Sequence, residues 1–320
     1  MDSPVGFTPD NSPVTAPAYG AAVISWGAGI VLALAVVAGI HWYVGWGPLL
    51  APWQELEVHA LLLALGLAVA GYLARAVRLY LFFAGPTAGR FALTLKLVLL
   101  NTLANNLLPM RAGELSFPLL MRRFFAVPLG TATAALAWLR FMDLHTLLGL
   151  GLIGLLAGRM DGPWGWPLMA AWLALPWLAY RFQRAIPGWL GAGRWRRLGA
   201  AVAAGSPAHG RAFWECWLWS VLAWAAKLAV FVWLLTAFSG AAVEVALLGA
   251  LGGELTSVLP FHGLAGMGTY EAGVVAAMAP FGVPLEAALA AAVNLHLFLL
   301  GVSVAGGALA SLIREPRGHG

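Results

Sequence analysis

Asn105-Asn106-Leu107-Leu108-Pro109-Met110-Arg111-Ala112-Gly113-Glu114 interrupts an apolar stretch that runs from 93 to 126. A second stretch, 244 to 281, is broken in the same way by Pro260-Phe261-His262-Gly263 and then Gly266-Met267-Gly268. Proline removes a backbone donor and glycine loosens a helix, so each stretch reads as two half-helices rather than one continuous helix. Around these breaks the chain has a membrane protein's composition. Of its 320 residues 61% are hydrophobic and only 10% charged, too few polar groups to cover a water-soluble surface. Broken backbone at membrane depth is tolerated only where protein or a water-filled cavity satisfies the freed N–H and C=O groups.

Six other stretches are apolar for the roughly 20 residues that cross a bilayer: 21 to 46, 58 to 83, 131 to 158, 165 to 182, 213 to 238 and 284 to 313. Basic residues set the orientation, since cytoplasmic loops are enriched in Lys and Arg. Arg75, Arg78, Arg90 and Lys96, the pair Arg122 and Arg123, the cluster from Arg181 to Arg211, and Arg314 with Arg317 are expected on the cytoplasmic side. Glu55 and Glu57, the loop with Arg159 and Asp161, and the loop near 239 to 243 fall opposite, where Trp42, Trp46, Trp53, Trp164 and Trp166 form an interfacial belt. This arrangement closes if both broken stretches are re-entrant, the first from the cytoplasm and the second from outside. The expected fold is an all-α polytopic membrane protein with six spanning helices and two re-entrant broken-helix hairpins. Both termini are then expected in the cytoplasm.

An internal repeat points the same way. Val127-Pro128-Leu129 leads into Ala132, Ala134 and Ala135, and Val283-Pro284-Leu285 leads into Ala288, Ala290 and Ala291, at an offset of 156 residues. The same offset lays 58 to 83 over 214 to 239. The expected organisation is a disordered tail over 1–20, a first membrane repeat over 21–160, a second, inverted repeat over 161–313 and a cytoplasmic tail over 314–320. The first segment, with four prolines and no basic residue, makes a poor secretory signal. Inverted repeats with discontinuous helices are a transporter architecture.

Ionisable residues inside apolar helices are expensive, about 2.5–3.5 kcal/mol each at the helix centre, so each needs a partner, an aqueous cavity or a task. Arg111, Glu114, Arg140, Asp143, Lys227, Glu254, Glu271 and His296 qualify. Arg140 and Asp143, three apart, share a helix face and either form a structural pair or balance a ligand. Under the repeat Arg140 overlies His296, which is otherwise a core histidine that Asn294 can serve. Arg111 and Glu114 sit at the first hairpin tip, where Gly113 permits close approach. At the second tip Gly263, Gly266 and Gly268 free the backbone, and Glu271 opens the next half-helix, where capping alone explains a carboxylate as well as a ligand role does. Asn105 and Asn106, with Asn101, must face an interior. Half-helix N–H groups with an arginine fork are suited to phosphate.

The formal charge of +5 reports topology rather than a nucleic-acid partner. Cys216, the single cysteine, offers no disulfide or thiolate metal site. No His-x-x-x-His pair, phosphate loop or Gly-x-Ser-x-Gly elbow is present, so neither an enzyme nor a cofactor or metal is expected.

The segment from Asn105 to Glu114 resembles the Asn-x-x-x-Pro-x-Arg-x-Gly-Glu segment of the flippase-like integral membrane family that includes the transmembrane region of lysylphosphatidylglycerol synthases. Gly266-Met267-Gly268-Thr269-Tyr270-Glu271 adds Gly-x-Gly-x-x-Glu. The resemblance covers most of 20 to 313. It implies movement of lipids between leaflets, an anionic or isoprenoid membrane lipid as ligand, and a central site containing Arg111, Glu114 and Glu271. Met110 and His262 depart from the smaller residues expected there, and no aminoacyl-transferase domain follows residue 313. The expected function is a lipid transporter with Arg111 and Arg140 on the headgroup. Alternatives are a non-catalytic subunit that binds a lipid-biosynthesis enzyme and an intramembrane lipid-headgroup enzyme.

Overall fold

The structure, a computed structural model, describes residues 38, 41–42, 45–108, 112–156, 165–182, 193, 203, 205–256 and 264–315. Among them every regular element is helical. The principal helices are α1 (Val58–Phe82), α2 (Phe91–Leu107), α3 (Ser116–Phe125), α4 (Leu129–Leu156), α5 (Gly165–Phe182), α6 (Gly210–Ser239), α7 (Val243–Thr256), α8 (Thr269–Met278) and α9 (Leu285–Leu312).

Four of these, α1, α4, α6 and α9, are long and apolar enough to cross a membrane. At 25 to 30 residues they rise about 37–45 Å, more than the roughly 30 Å of hydrocarbon. The chain is a multi-pass membrane protein. α5 occupies the expected 165–182, but its tryptophans, Pro176 and Arg181 leave it less apolar than the four. The expected span over 21–46 lies almost wholly outside the described residues, as do Arg159, Asp161, Trp164, Arg184, Arg194, Arg196, Arg197 and Arg317. The outward faces of the long helices are hydrocarbon: Val58, Leu62, Leu63 and Val69 on α1 and Val304, Leu309 and Leu312 on α9 are all more than half exposed. In water such a surface would be untenable, whereas against lipid it costs nothing.

Leu129–Leu156 and Leu285–Leu312, both 28 residues long, start and stop at the 156-residue offset. Each starts immediately after a proline, whose missing donor matters least at a helix N-terminus. The first-turn bonds match as well: Ala132 N–H donates to Pro128 O at 3.0 Å and Ala288 N–H to Pro284 O at 2.9 Å. Ala132 and Ala135, and their counterparts Ala288 and Ala291, are completely buried, because only a methyl group fits where neighbouring helices approach. The equivalent helices α1 and α6 pack together antiparallel, with Trp53 near Phe238, Gly71 near Ala223 and Arg78 bonded to Ser220.

Both interrupted stretches double back. α2 rises only about 25 Å and α3 about 15 Å. The Arg90 guanidinium at the start of α2 donates to Phe124 O at the end of α3, which brings the two ends of the first hairpin together. At the turn Gly113 lies on the backbone of Ala104, so closely that a Cβ would overlap it. α7 and α8 approach through Gly252 and Gly273, each so near the other's backbone that no side chain fits between them. Lys96, Arg123 and Glu315 meet at the end of the molecule where α2 begins and α3 and α9 finish.

Charge counting expected Arg75, Arg78 and Lys96 towards the cytoplasmic side. Arg75 and Arg78 lie within α1 and Lys96 within α2. Arg78 is buried against Asp143, and Lys96 bonds to Ile313 O. A cation with an internal partner need not reach water, and a count of basic residues along the chain does not register that partner.

Candidate functional site

The four long helices and the two hairpins enclose a cavity of about 510 Å³. Four cationic side chains line it: Arg75 and Arg78 from α1, Arg140 from α4 and Lys227 from α6. Three described carboxylates, Glu114, Asp143 and Glu254, share the wall with Asn101, Asn105, Asn106, Tyr270 and His296. Apolar residues such as Leu97, Leu136, Leu147 and Leu299 make up the rest of the lining.

Most of the polar groups reach the cavity from the α-helices, and Glu114 from the tip of the first hairpin. On α2, Asn101 and Asn105 are one turn apart and share a face. Asn101 Nδ2 donates to Ser116 Oγ at 2.8 Å and to Gly113 O at 3.4 Å, which ties the two limbs of the first hairpin together. Asn105 Nδ2 donates to Asn101 Oδ1 at 3.2 Å, and its own Oδ1 is buried without a described partner. Asn106 Nδ2 donates to Ser303 Oγ on α9 at 2.6 Å.

Glu114 Oε1 lies 3.2 Å from Arg140 Nε, close enough for an ion pair although the N–H is not aimed at the oxygen. The hairpin tip and α4 thus meet at this pair. Arg140 also lies 3.8 Å from Asp143, as expected from their spacing, but the principal partner of Asp143 is Arg78. Arg78 also donates to Ser220 Oγ at 2.8 Å, and Trp224 Nε1 donates to Asp143 Oδ1 at 3.2 Å. Lys227 Nζ pairs with Glu254 at 2.7 Å and stands 5.0 Å from the ring centres of Trp224 and Phe231.

Glu271 performs two tasks behind the cavity wall. Its Oε2 accepts the Gly268 N–H at 2.8 Å, capping α8, while its Oε1 lies 2.7 Å from His296 Nδ1. With the carboxylate as acceptor, His296 carries its proton on Nδ1 and presents its Cε1–Nε2 edge to Gly266. Gly266 and Gly268 take positive φ of 79° and 83°, which lets the chain turn sharply into α8. The expected service of Asn294 to His296 is not found: Asn294 accepts from Trp53 Nε1 at 2.7 Å and donates to Leu49 O at 2.8 Å.

Of the residues expected at the site, Glu114, Arg140, Asp143, Asn105, Asn106, Gly266 and His296 line one cavity; Gly113 and Gly268 shape its hairpins and Glu271 stands just behind it. Arg111, Gly263, Met110 and His262 lie outside the described residues. Arg75, Arg78, Lys227, Glu254 and Tyr270 also line it without having been assigned to the site. One signal was available for the arginines: α1 continues apolar beyond Arg78 through Leu79, Tyr80, Leu81 and Phe82, so neither lies at the end of its hydrophobic stretch.

In the comparisons with known proteins, the family model described as "Lysylphosphatidylglycerol synthase TM region" matches residues 30–307. No curated protein and no solved structure matches the chain.

Proposed function

The chain belongs to the lysylphosphatidylglycerol synthase transmembrane-region family, and from that premise we propose that it moves an anionic or isoprenoid lipid between the leaflets of a bacterial inner membrane. The family's description ties it to membrane lipids, and the site supplies the means. The observation that carries this reading is a cavity with four cationic side chains and three carboxylates inside a protein whose outer faces are hydrocarbon. A headgroup enters the polar interior while its tails remain in lipid, so the cost of taking a charge through hydrocarbon is avoided. Arg140 engages the headgroup, with Glu114 and Asp143 as counter-charges when the site is empty. Arg111 joins it on the strength of its place in the Pro-x-Arg-x-Gly-Glu segment. The Glu271–His296 pair links the second hairpin to α9. No bond in the lipid is made or broken.

The arrangement that accompanies this function has six spans, two re-entrant hairpins and two repeats of opposite sense, with both termini cytoplasmic. The matching bounds of α4 and α9, the antiparallel α1 and α6, and the contact between Arg90 and Phe124 support it. Cysteines near Gly162 and Gly240 should react from outside, and cysteines near Gly85, Gly193 and Gly318 only from the cytoplasm. The native Cys216 is buried and gives little background. A Gly240 site reached only from the cytoplasm would overturn the inverted arrangement.

Transport is tested in proteoliposomes that carry a fluorescent phospholipid in one leaflet, with dithionite quenching as the readout. Acceleration of lipid movement over protein-free vesicles, lost on Arg140→Gln in a protein that still folds, is expected. Equal rates with and without protein, across anionic and isoprenoid lipids, would refute the reading.

A further inference from the structure

Arg75 differs from the other cations of the cavity. Lys227 is held by Glu254, Arg140 by Glu114, and Arg78 by Asp143 and Ser220. Arg75 makes no hydrogen bond or ion pair with any described residue, and its guanidinium carbon lies 5.9 Å from the Tyr72 ring centre. It sits seven residues before Phe82, about 10 Å along the helix from the end of α1. A cation at that depth with no hydrogen-bonded partner among the described residues is costly and is found where it has work to do.

A second, smaller cavity of about 60 Å³ adjoins the first. Arg75, Thr102, Asn106, Lys227 and Leu299 border both cavities. Apart from these and Tyr72 the small cavity is apolar, with Ala68 and Gly71 from α1, Val230 from α6 and Phe298 and Val302 from α9. Its volume matches about two water-sized groups, enough for a short segment of one hydrocarbon chain. Arg75 therefore stands at the junction of a polar chamber and a narrow apolar slot, which is the geometry an amphiphile requires at its headgroup.

We propose that Arg75 is a further anion-binding residue, beside Arg140, of a two-part lipid site, its guanidinium gripping the phosphate of a phospholipid in the polar cavity while the first carbons of one chain enter the slot between α1, α6 and α9. A planar guanidinium offers two parallel N–H donors to two phosphate oxygens, and no described carboxylate occupies them. The choice of a lipid as ligand rests on the transport reading.

The test measures binding of dioleoylphosphatidylglycerol, dioleoylglycerol, glycerol 3-phosphate and inorganic phosphate to the full chain in detergent micelles, alongside lipid movement in proteoliposomes. Arg75→Gln should weaken phosphatidylglycerol binding about tenfold to a hundredfold, the loss of a charge-assisted pair, and leave dioleoylglycerol unchanged. Arg75→Lys should recover only part of that loss. Neither variant should lower the thermal midpoint by more than a small amount, because Arg75 makes no hydrogen bond or ion pair with a described residue. Ala68→Phe, which fills the slot, should weaken phosphatidylglycerol and leave glycerol 3-phosphate alone; if it fails to fold, Val302→Phe makes the same test. Binding of phosphatidylglycerol to Arg75→Gln within twofold of wild type would overturn the proposal. Free phosphate that binds as tightly as the lipid, with no effect of Ala68→Phe, would overturn its lipid half. Arg75-dependent lipid binding without any lipid movement would uphold the site and sink the transport reading.

Discussion

Asp143 is the point at which α1, α4 and α6 are fastened together, and removing its charge should loosen all three. Its side chain is 14% exposed and that of Arg78 9%, so both charges depend on protein partners. Loss of one member of a buried ion pair costs about 3–5 kcal/mol, most of it from the charge left behind. In Asp143→Ala, Ser220 still accepts one Arg78 N–H at 2.8 Å and Glu114 still faces Arg140. The expected loss is therefore at the low end, about 3 kcal/mol. Arg78→Met leaves the carboxylate with the Trp224 N–H at 3.2 Å and Arg140 at 3.8 Å, and should cost less, about 2 kcal/mol. Combining Arg78→Met with Asp143→Leu removes both charges and keeps the volume filled, so stability should return to within about 1 kcal/mol of wild type. Equilibrium unfolding in mixed micelles, titrated with dodecyl sulfate and followed by far-UV circular dichroism, measures all three variants. A double variant that loses as much as the two single variants together would show that the residues act independently, and the reasoning would fail.

Ala126 follows α3 in the left-handed region, at φ 55° and ψ 23°, where a Cβ is strained, so Ala126→Gly should stabilise the protein by about 1 kcal/mol and raise its thermal midpoint. An unchanged or lower midpoint would show that the turn is not strained. Gly113→Ala places a methyl group into the Ala104 backbone and should cost about 1–3 kcal/mol in the same assay, with no loss if the hairpin tip can lift freely. Glu315 at the C-terminal end of α9 is held below the ordinary carboxyl value of 4.5, chiefly by its hydrogen bond to Lys96. Its contribution is therefore present above that value and is lost as pH falls through the lower folded value. Thermal midpoints of wild type and Glu315→Gln should differ slightly at pH 6, since the site is exposed, and converge below pH 4.5. A gap that widens on acidification would contradict this assignment.

Features that depend on neighbours along the chain were legible in the sequence. Hydrophobic length and the prolines at 128 and 284 determine where α4 and α9 start and stop, because helix spans and helix starts are local properties of the backbone and its immediate side chains. The same holds for the breaks near Pro109 and after Pro260, and for the need of Glu114, Arg140, Asp143, Glu271 and His296 to find partners inside an apolar protein. The identity of those partners was decided by tertiary structure alone. Asp143 joins Arg78 across 65 residues, Lys227 joins Glu254 across 27, and His296 turns to Glu271 rather than to the nearby Asn294. Composition likewise shows an arginine at 75 but not that, among the described cations of the cavity, it makes no ion pair, which follows from how α1, α2, α6 and α9 pack. A sequence records each charge with its chain neighbours, whereas Coulomb energy and desolvation depend on distance in space, and in this fold those distances are set by the crossing of helices far apart in the chain.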